Sequence, residues 1–252
     1  MTPGQRFREA LINNKPLQIV GCVNAYCALM ADKVGHKSVY LSGAGVSNAS
    51  FGMPDLGMTS LNDVIEDAKR ITSITELPLL VDIDTGWGGA FNISRTIKEM
   101  YRSGVASIHI EDQVGQKRCG HRPNKEMVST EEMVDRVKAC VDARQDESFF
   151  IIARTDAFAS EGMESSINRA KSYIEAGADG IFAEVTEGLA DTQRDKLAGL
   201  AENVEFESEA DYREKLVTLR DSYFPENAGT QRDKSENLSE EANQPSYQEV
   251  SV

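Results

Sequence analysis

The sequence is short of the residues that mark several large protein classes. Its 252 residues include only four cysteines, at positions 22, 27, 119 and 140, with neither metal-ligand pairing nor the density of a disulfide framework. A reduced, cytoplasmic protein is therefore expected. No stretch approaches the roughly 18 consecutive apolar residues of a membrane span. The start, Met1-Thr-Pro-Gly-Gln-Arg-Phe7, lacks a basic segment leading into an apolar run, so no secretory signal is visible. Positive charge is also scarce: 27 Lys and Arg face 41 Asp and Glu, a formal net charge of −14. Such a chain repels phosphate backbones, which disfavours general nucleic-acid binding.

What is present is a repeated alternation. Apolar runs at 17–23, 38–41, 77–84, 106–112, 149–154 and 178–184 read as strands, and their lack of polar alternation suits burial on both faces of a parallel sheet. Amphipathic stretches at 61–74, 93–103, 131–141 and 165–176 read as helices. Thr59 or Ser60 caps the first of these, and Ser129 or Thr130 precedes Glu131 and Glu132 in capping-box fashion. Gly35, Gly104 and Gly177 stand just before strands, where a left-handed cap ends a helix. Six strand–helix units of about 30 residues argue for βαβ architecture.

An open doubly wound sheet and a (β/α)8 barrel both fit that order, and the polar residues separate them. They fall at the C-terminal ends of many strands: Ser42, Gly43 and Ala44 after the second, Asp82 and Asp84 at the third, Glu111 at the fourth, Arg154 at the fifth and Glu184 at the sixth. An open sheet gathers ligands near one switch point, whereas a barrel draws them from several strands. The expected class is α/β of the (β/α)8-barrel type, with about six βα units recognisable.

Asp82 and Asp84, two apart at a strand end, make with Glu111 an oxygen-rich cluster suited to Mg²⁺ held mostly through water. Carboxylates at strand ends also cap helices or pair with arginine, and Arg154 is placed to neutralise either a substrate carboxylate or one of these acids. The segment Lys117-Arg-Cys-Gly-His121 offers a thiol among basic groups, which depresses a thiol pKa; a merely basic loop with an incidental cysteine is the plain alternative. Cys22, Cys27 and Cys140 read as packing residues, His109 as an internal histidine held by a hydrogen bond, and Trp87 as a packing or pocket-wall residue. The glycine-rich Ser42–Gly45 turn offers amides to an anion but lacks a full dinucleotide or P-loop signature.

Taken together, Lys117-Arg-Cys-Gly-His-Arg-Pro-Asn-Lys125, Tyr40-Leu-Ser-Gly-Ala-Gly45, Pro54-Asp-Leu-Gly57, Val81-Asp-Ile-Asp-Thr-Gly86, His109-Ile-Glu-Asp-Gln113 and Ile152-Ala-Arg-Thr-Asp156 resemble the methylisocitrate lyases of the isocitrate lyase/phosphoenolpyruvate mutase superfamily. The resemblance covers about residues 4–184. It implies cleavage of 2-methylisocitrate to pyruvate and succinate in propionate catabolism, with Mg²⁺ held by Asp82 and Asp84 and with Asp55 and Glu111 nearby. It further implies that Ser42, Gly43 and Ala44 hold a substrate carboxylate, while Arg118, Gly120, Arg154 and Glu184 belong to the substrate-binding set. Cys119 would be the general acid, with Lys117 and His121 in its catalytic group. Members of this family are homo-oligomeric.

The resemblance stops near Glu184. Residues 186–252 hold 16 acidic against 7 basic residues, most of the chain's excess charge. An acidic helical segment over 185–224 and a disordered tail over 225–252 are expected, and parts of this region are similar to T4-like phage prohead core proteins. Six strands leave an eight-stranded barrel open, with edges exposed on strands 1 and 6. Weak or absent lyase activity of the chain alone is expected on that ground. Two other readings compete: a structural or assembly protein carrying a lyase fragment, and a superfamily relative acting on another 2-oxo or 2-hydroxy acid.

Overall fold

All six apolar runs form strands in the computed structural model, which describes residues 1–120 and 124–184. The expected segments 185–224 and 225–252, their likeness to prohead core proteins, and His121 lie outside the described residues. Helix α1 (Pro3–Asn13) leads into β1 (Val20–Gly21), α2 (Ala25–Lys33) and β2 (Val39–Leu41). A helical turn at Gly43–Gly45 runs into a π-turn at Val46–Ser50, and then come α3 (Leu61–Thr72), β3 (Leu79–Asp82), α4 (Ala90–Arg102) and β4 (Ser107–Glu111). The order closes with α5 (Thr130–Ala143), β5 (Phe150–Thr155), α6 (Phe158–Glu175) and β6 (Gly180–Ala183).

The six strands pair in sequence order, every pair parallel, and helices return the chain between them. This is the sheet of a (β/α) barrel, with β1 and β6 at its two ends among the described residues. The strand β1 is shorter than its apolar run, since only Val20 and Gly21 meet β2. The capping signals act as expected. Ser129 accepts the Glu132 amide, and Asp63 accepts the amide and hydroxyl of Ser60 at the start of α3. Helix α1 was not expected, although Thr2 and Gln5 form a reciprocal capping box around Pro3.

Side chains alternate between two apolar layers. Val39, Leu41, Leu79, Val81, Ile108, Ile110, Ile151 and Ala153 pack outward against the helices. Leu80, Ala106, Phe150 and Ile152 face inward, where Phe7, Ala10 and Leu11 of α1 cover them. The rings of Phe7 and Phe150 lie 5.3 Å apart and tilted. Burying one such side chain contributes about 2 kcal/mol, so α1 seals the N-terminal end of the inner face and leaves its C-terminal end for polar groups. No helix of the described residues is long and apolar enough to cross a membrane.

Asp179 ties this closed end together. It accepts from Arg8 of α1 (2.7 Å), from Arg144 after α5 (2.9 Å) and from the Ile151 amide (3.0 Å). Asp179→Ala removes the carboxylate partner of two guanidinium groups and leaves the Ile151 amide unpaired, and should lower unfolding free energy by about 2 kcal/mol. Urea titrations of both proteins give the difference directly; a change below about 0.5 kcal/mol would show that Asp179 does not hold this end together.

Candidate active site

The polar residues of the inner face keep the same parity as its apolar ones. Along β3, Leu80 is followed two residues on by Asp82; along β5, Ile152 by Arg154; past Phe182 of β6 comes Glu184; past Tyr40 of β2 comes Ser42. Because the side-chain period of a strand is two, each charged group continues an inward-facing row at the C-terminal end. The register then sets neighbours: Asp82 lies beside His109, and Glu111 beside Arg154. Asp84 reaches the same space by another device. Its backbone is left-handed (φ 48°), its amide donates to Asp82 Oδ1 at 2.9 Å, and its carbonyl accepts the Glu111 amide at 3.0 Å.

The result is a buried carboxylate cluster with its own cations. Lys117, from the segment after β4, places Nζ 2.6 Å from Asp84 Oδ1, 3.0 Å from Asp55 Oδ1 and 4.0 Å from Glu111 Oε1. Arg154 bonds Asp156 through Nε and Nη2, and lies 3.5 Å from both Glu111 and Glu184. Burial pushes Asp84 up to about 6, Asp82 adding to the shift and Lys117 opposing it. Burial likewise raises Glu111 well above the usual carboxylate range against the pull of Arg154 and Lys117. Burial alone would raise Asp82 as well, but His109, Lys117, Arg154 and the Asp84 amide reverse the sign and hold it low. The Lys117 ammonium is disfavoured by burial, yet Glu111, Asp82, Asp84 and Asp55 hold its pKa above the ordinary value. His109, driven down to about 4 by burial, is a neutral imidazole at neutral pH, 2.9 Å from the Tyr40 hydroxyl as an internal hydrogen-bonded histidine.

Gly43 shows why glycine stands in the turn after β2. A Cβ there would lie 2.9 Å from Asp84 Oδ1 and 3.2 Å from Asp82 Oδ2, so these two oxygens border one small gap. The Gly43 amide donates to Asp82 Oδ2 and the Gly45 amide to Ser42 Oγ, so two amides of the expected anion-binding turn already have internal acceptors. Both Glu111 oxygens are buried and accept no hydrogen bond. Hard oxygen donors around a gap, some lacking proton donors, fit a hydrated Mg²⁺. Among the described residues no group of three His, Cys, Asp or Glu could by itself hold a metal ion. An ion here would therefore keep much of its water shell, with Asp82 and Asp84 nearest the Gly43 gap and Asp55 and Glu111 around it.

Of the residues singled out from the sequence, Ser42, Gly43, Asp55, Asp82, Asp84, Glu111, Lys117 and Arg154 converge here. Gly120 joins them, since a Cβ on it would collide with Arg154 and Glu184. Cys119 is half-buried beside Gly120, while Cys22 and Cys140 are buried as expected of packing residues. Trp87, expected as a packing or pocket-wall residue, packs against the outer core and donates from Nε1 to the Thr59 carbonyl. Sequence reasoning met Asp112, Gln113, Lys125 and Asp156 only as members of polar strand ends and motifs and gave none of them a role of its own. Asp112 accepts the Asp156 amide and the hydroxyls of Thr155 and Tyr173; Lys125 bonds Asp156 and the Gly120 carbonyl. Asp-Gln after one strand and Thr-Asp after the next were the available signal.

A family model described as phosphoenolpyruvate phosphomutase matches residues 7–208. The chain is 72% identical over 181 residues to 2-methylisocitrate lyase of Shewanella oneidensis, a match covering 72% of this chain and 62% of that protein. It is 57% identical over 184 residues to the enzyme of that name from Salmonella typhimurium, covering 73% and 62%. A solved structure of 2,3-dimethylmalate lyase, described as a PEP mutase/isocitrate lyase superfamily member, superposes with a TM-score of 0.75 at 31% identity, covering 96% of this chain and 86% of that one. The chain belongs to the PEP mutase/isocitrate lyase superfamily. It spans about three-fifths of the length of the 2-methylisocitrate lyases it matches. Within the superfamily it is also similar to oxaloacetate acetylhydrolase, solved with 3,3-difluorooxalacetate: TM-score 0.73, 35% identity, 79% of this chain and 68% of that one.

Two predictions follow from the buried charges and thiols. Lys117→Met leaves Asp84 without its nearest cation and should cost about 3 kcal/mol of stability. The double variant Lys117→Met/Asp84→Asn removes both charges and should recover at least half of that loss; equal losses in the two proteins would mean that the pair does not carry the effect. Burial pushes the Cys22 thiol up to about 11 and also raises Cys140. At pH 8 roughly 0.1% of Cys22 is thiolate, so iodoacetamide should label the half-buried Cys27 and Cys119 long before Cys22 or Cys140. Peptide mapping reads the order, and early labelling of Cys22 would contradict it.

Proposed function

We propose that the chain carries the catalytic face of a Mg²⁺-dependent carbon–carbon lyase cleaving 2-methylisocitrate to pyruvate and succinate. The observation that carries this reading is the docking of the Cys119 segment onto the inner-face carboxylates through Lys117 (2.6 Å to Asp84). It brings the residues flanking Cys119 to the inner face, Lys117 onto Asp84 and Gly120 against Arg154 and Glu184. Overall identity of 72% and 63% to 2-methylisocitrate lyases supports it.

In this reading the pyruvyl half of the substrate lies over Ser42, Gly43 and Ala44. Arg154 and Arg118 bind substrate oxygens, with Glu184 orienting Arg154 and Gly120 giving room for the succinyl half. When bound, Mg²⁺ near Asp82, Asp84, Asp55 and Glu111 would supply a counter-charge for the alkoxide oxygen of the pyruvyl half. The substrate hydroxyl gives up its proton to solvent water, its oxygen becomes the pyruvate carbonyl as the carbon–carbon bond breaks, and the electron pair left on the succinyl carbon takes up the proton that Cys119 donates; solvent returns a proton to the thiolate. Lys117 fixes the segment carrying that thiol, and His121 completes the catalytic group. The division of the chain at residue 184, the homo-oligomer, the place in propionate catabolism and a cytoplasmic location belong to the same proposal. The four free cysteines suit a reducing compartment.

Weak turnover by this chain alone belongs to the same proposal. Likeness to oxaloacetate acetylhydrolase favours a second reading, an enzyme acting on another 2-oxo or 2-hydroxy acid. The test is pyruvate release from 2-methylisocitrate, compared with oxaloacetate and 2,3-dimethylmalate under the same conditions. The expected result is slow pyruvate release, abolished by EDTA, restored by Mg²⁺, and at least about 100-fold lower in Cys119→Ser. Turnover on oxaloacetate alone, indifferent to Cys119→Ser, would reject the lyase assignment.

A further inference from the structure

The segment holding Cys119 is fastened at several points that the proposed chemistry leaves unexplained. Its two stems run antiparallel: Val114 donates its amide to Glu126, Val128 donates to Asp112, and Gln113 bridges Met127. Each stem sends one buried side chain to the backbone of the segment. Gln113, 1% exposed, is held by Arg136 through its own carbonyl at 2.8 Å. Its side chain accepts the Arg118 amide at 2.9 Å and donates to the Arg118 carbonyl at 3.0 Å, so one amide satisfies both backbone groups of one residue. Lys125, whose side chain is 3% exposed, donates to the Gly120 carbonyl at 2.6 Å and to Asp156 Oδ1 at 2.8 Å. Asp156 is fixed in turn by Arg154 and by Asp112, which accepts its amide. The residues on either side of Cys119 are thus each held by a side chain from a different stem.

We propose that Gln113 and Lys125 are positioning residues that bracket Cys119, fixing the backbone at 118 and 120 so that the intervening thiol faces the carboxylate site. The two differ in what they transmit. Gln113 acts through a neutral pair of hydrogen bonds whose geometry admits only an amide: a carboxylate of the same shape would set oxygen against the Arg118 carbonyl. Lys125 acts through charge, linking the thiol's neighbour to Asp156 and hence to the Arg154 guanidinium on which Gly120 rests. Thiol position and substrate-binding arginine are therefore coupled through Lys125 and Asp156. A shift of about 1 Å at a reacting group lowers turnover by about 100-fold while leaving substrate binding elsewhere intact.

This inference rests on the lyase reading only in taking Cys119 as the reacting group, and its test is separable from that reading. In the full chain, the alkylation rate of Cys119 with iodoacetamide is measured by peptide mapping across pH 6–9 for the unmodified protein, Gln113→Glu, Lys125→Met and Lys125→Arg. Gln113→Glu and Lys125→Met should each change the rate at least about fivefold, with Lys125→Arg closer to the unmodified protein. If the chain is active, kcat should fall about tenfold or more in the first two variants with KM within about twofold. Hydrogen exchange on the unmodified chain gives a reading independent of variant folding: the Arg118 amide should exchange at least about tenfold slower than an open-loop amide. An unprotected Arg118 amide, or Cys119 rates unchanged in folded Gln113→Glu and Lys125→Met, overturns the bracket. Altered Cys119 rates in a chain that turns over oxaloacetate but not 2-methylisocitrate leave the bracket standing and reject the lyase reading.

Discussion

A buried carboxylate is tolerable only with a partner, and this site depends on where its cations come from. Asp82, Asp84 and Glu111 are almost wholly enclosed at the ends of β3 and β4. An isolated ionised carboxylate in such surroundings costs several kcal/mol, so the group must take up a proton, bind a cation, or find an ammonium or guanidinium. Arg154 comes from the sheet itself and is present whenever β5 is paired. Lys117 does not; it arrives only when the segment after β4 folds back over the inner face. Charge compensation and docking of the Cys119 segment are therefore one event, and the stability of the carboxylate cluster depends on the position of a thiol that lies outside it.

That coupling gives the neighbouring contacts their meaning. A single ion pair between Lys117 and Asp84 fixes one atom of a flexible side chain and leaves the backbone beyond it free to turn. The hydrogen bonds from Gln113 to Arg118 and from Lys125 to Gly120 remove that freedom on both sides of residue 119. Asp112 and Asp156 extend the same constraint into α6 through Tyr173 and Arg169, whose guanidinium also bonds Glu161. Elements far apart in sequence are in this way fastened to one short segment, by bonds that are short, buried and mostly charge-assisted.

How much of this was legible in the sequence follows from the range of each interaction. Strands and helices were legible because apolar periodicity is local, and the barrel-type sheet because polar residues recur at the ends of successive strands. The parity of Asp82, His109, Glu111 and Arg154 was implicit in the same pattern. Helix α1 was missed although Thr2, Pro3 and Gln5 signal its start, because a helix that seals the end of a sheet lies outside the strand–helix alternation that guided the reading. Residues marked by unusual composition, such as the Lys117–Gly120 run, were found. Gln113, Lys125 and Asp156 stood within the recognised motifs without a role, because their roles depend on partners up to 44 positions away, to which local pattern gives no access.

The two ends of the sheet pose the converse problem. Local rules account for each of the six strands, yet the outer edges of β1 and β6 find no strand partner among the described residues. The inner-face groups that bear the proposed chemistry are concentrated on β3, β4 and β5, three of the four strands that have neighbours on both sides among the described residues. Asp82, Glu111 and Arg154 are therefore positioned by ladders that do not require closure, whereas Ser42 and Glu184, beyond β2 and β6, lie nearer the ends. A parallel sheet holds its central side chains by two ladders each and its end strands by one. On that ground the cation–carboxylate cluster around Asp82, Glu111 and Arg154 is held from both sides by strands of the described sheet, and its geometry follows from register alone.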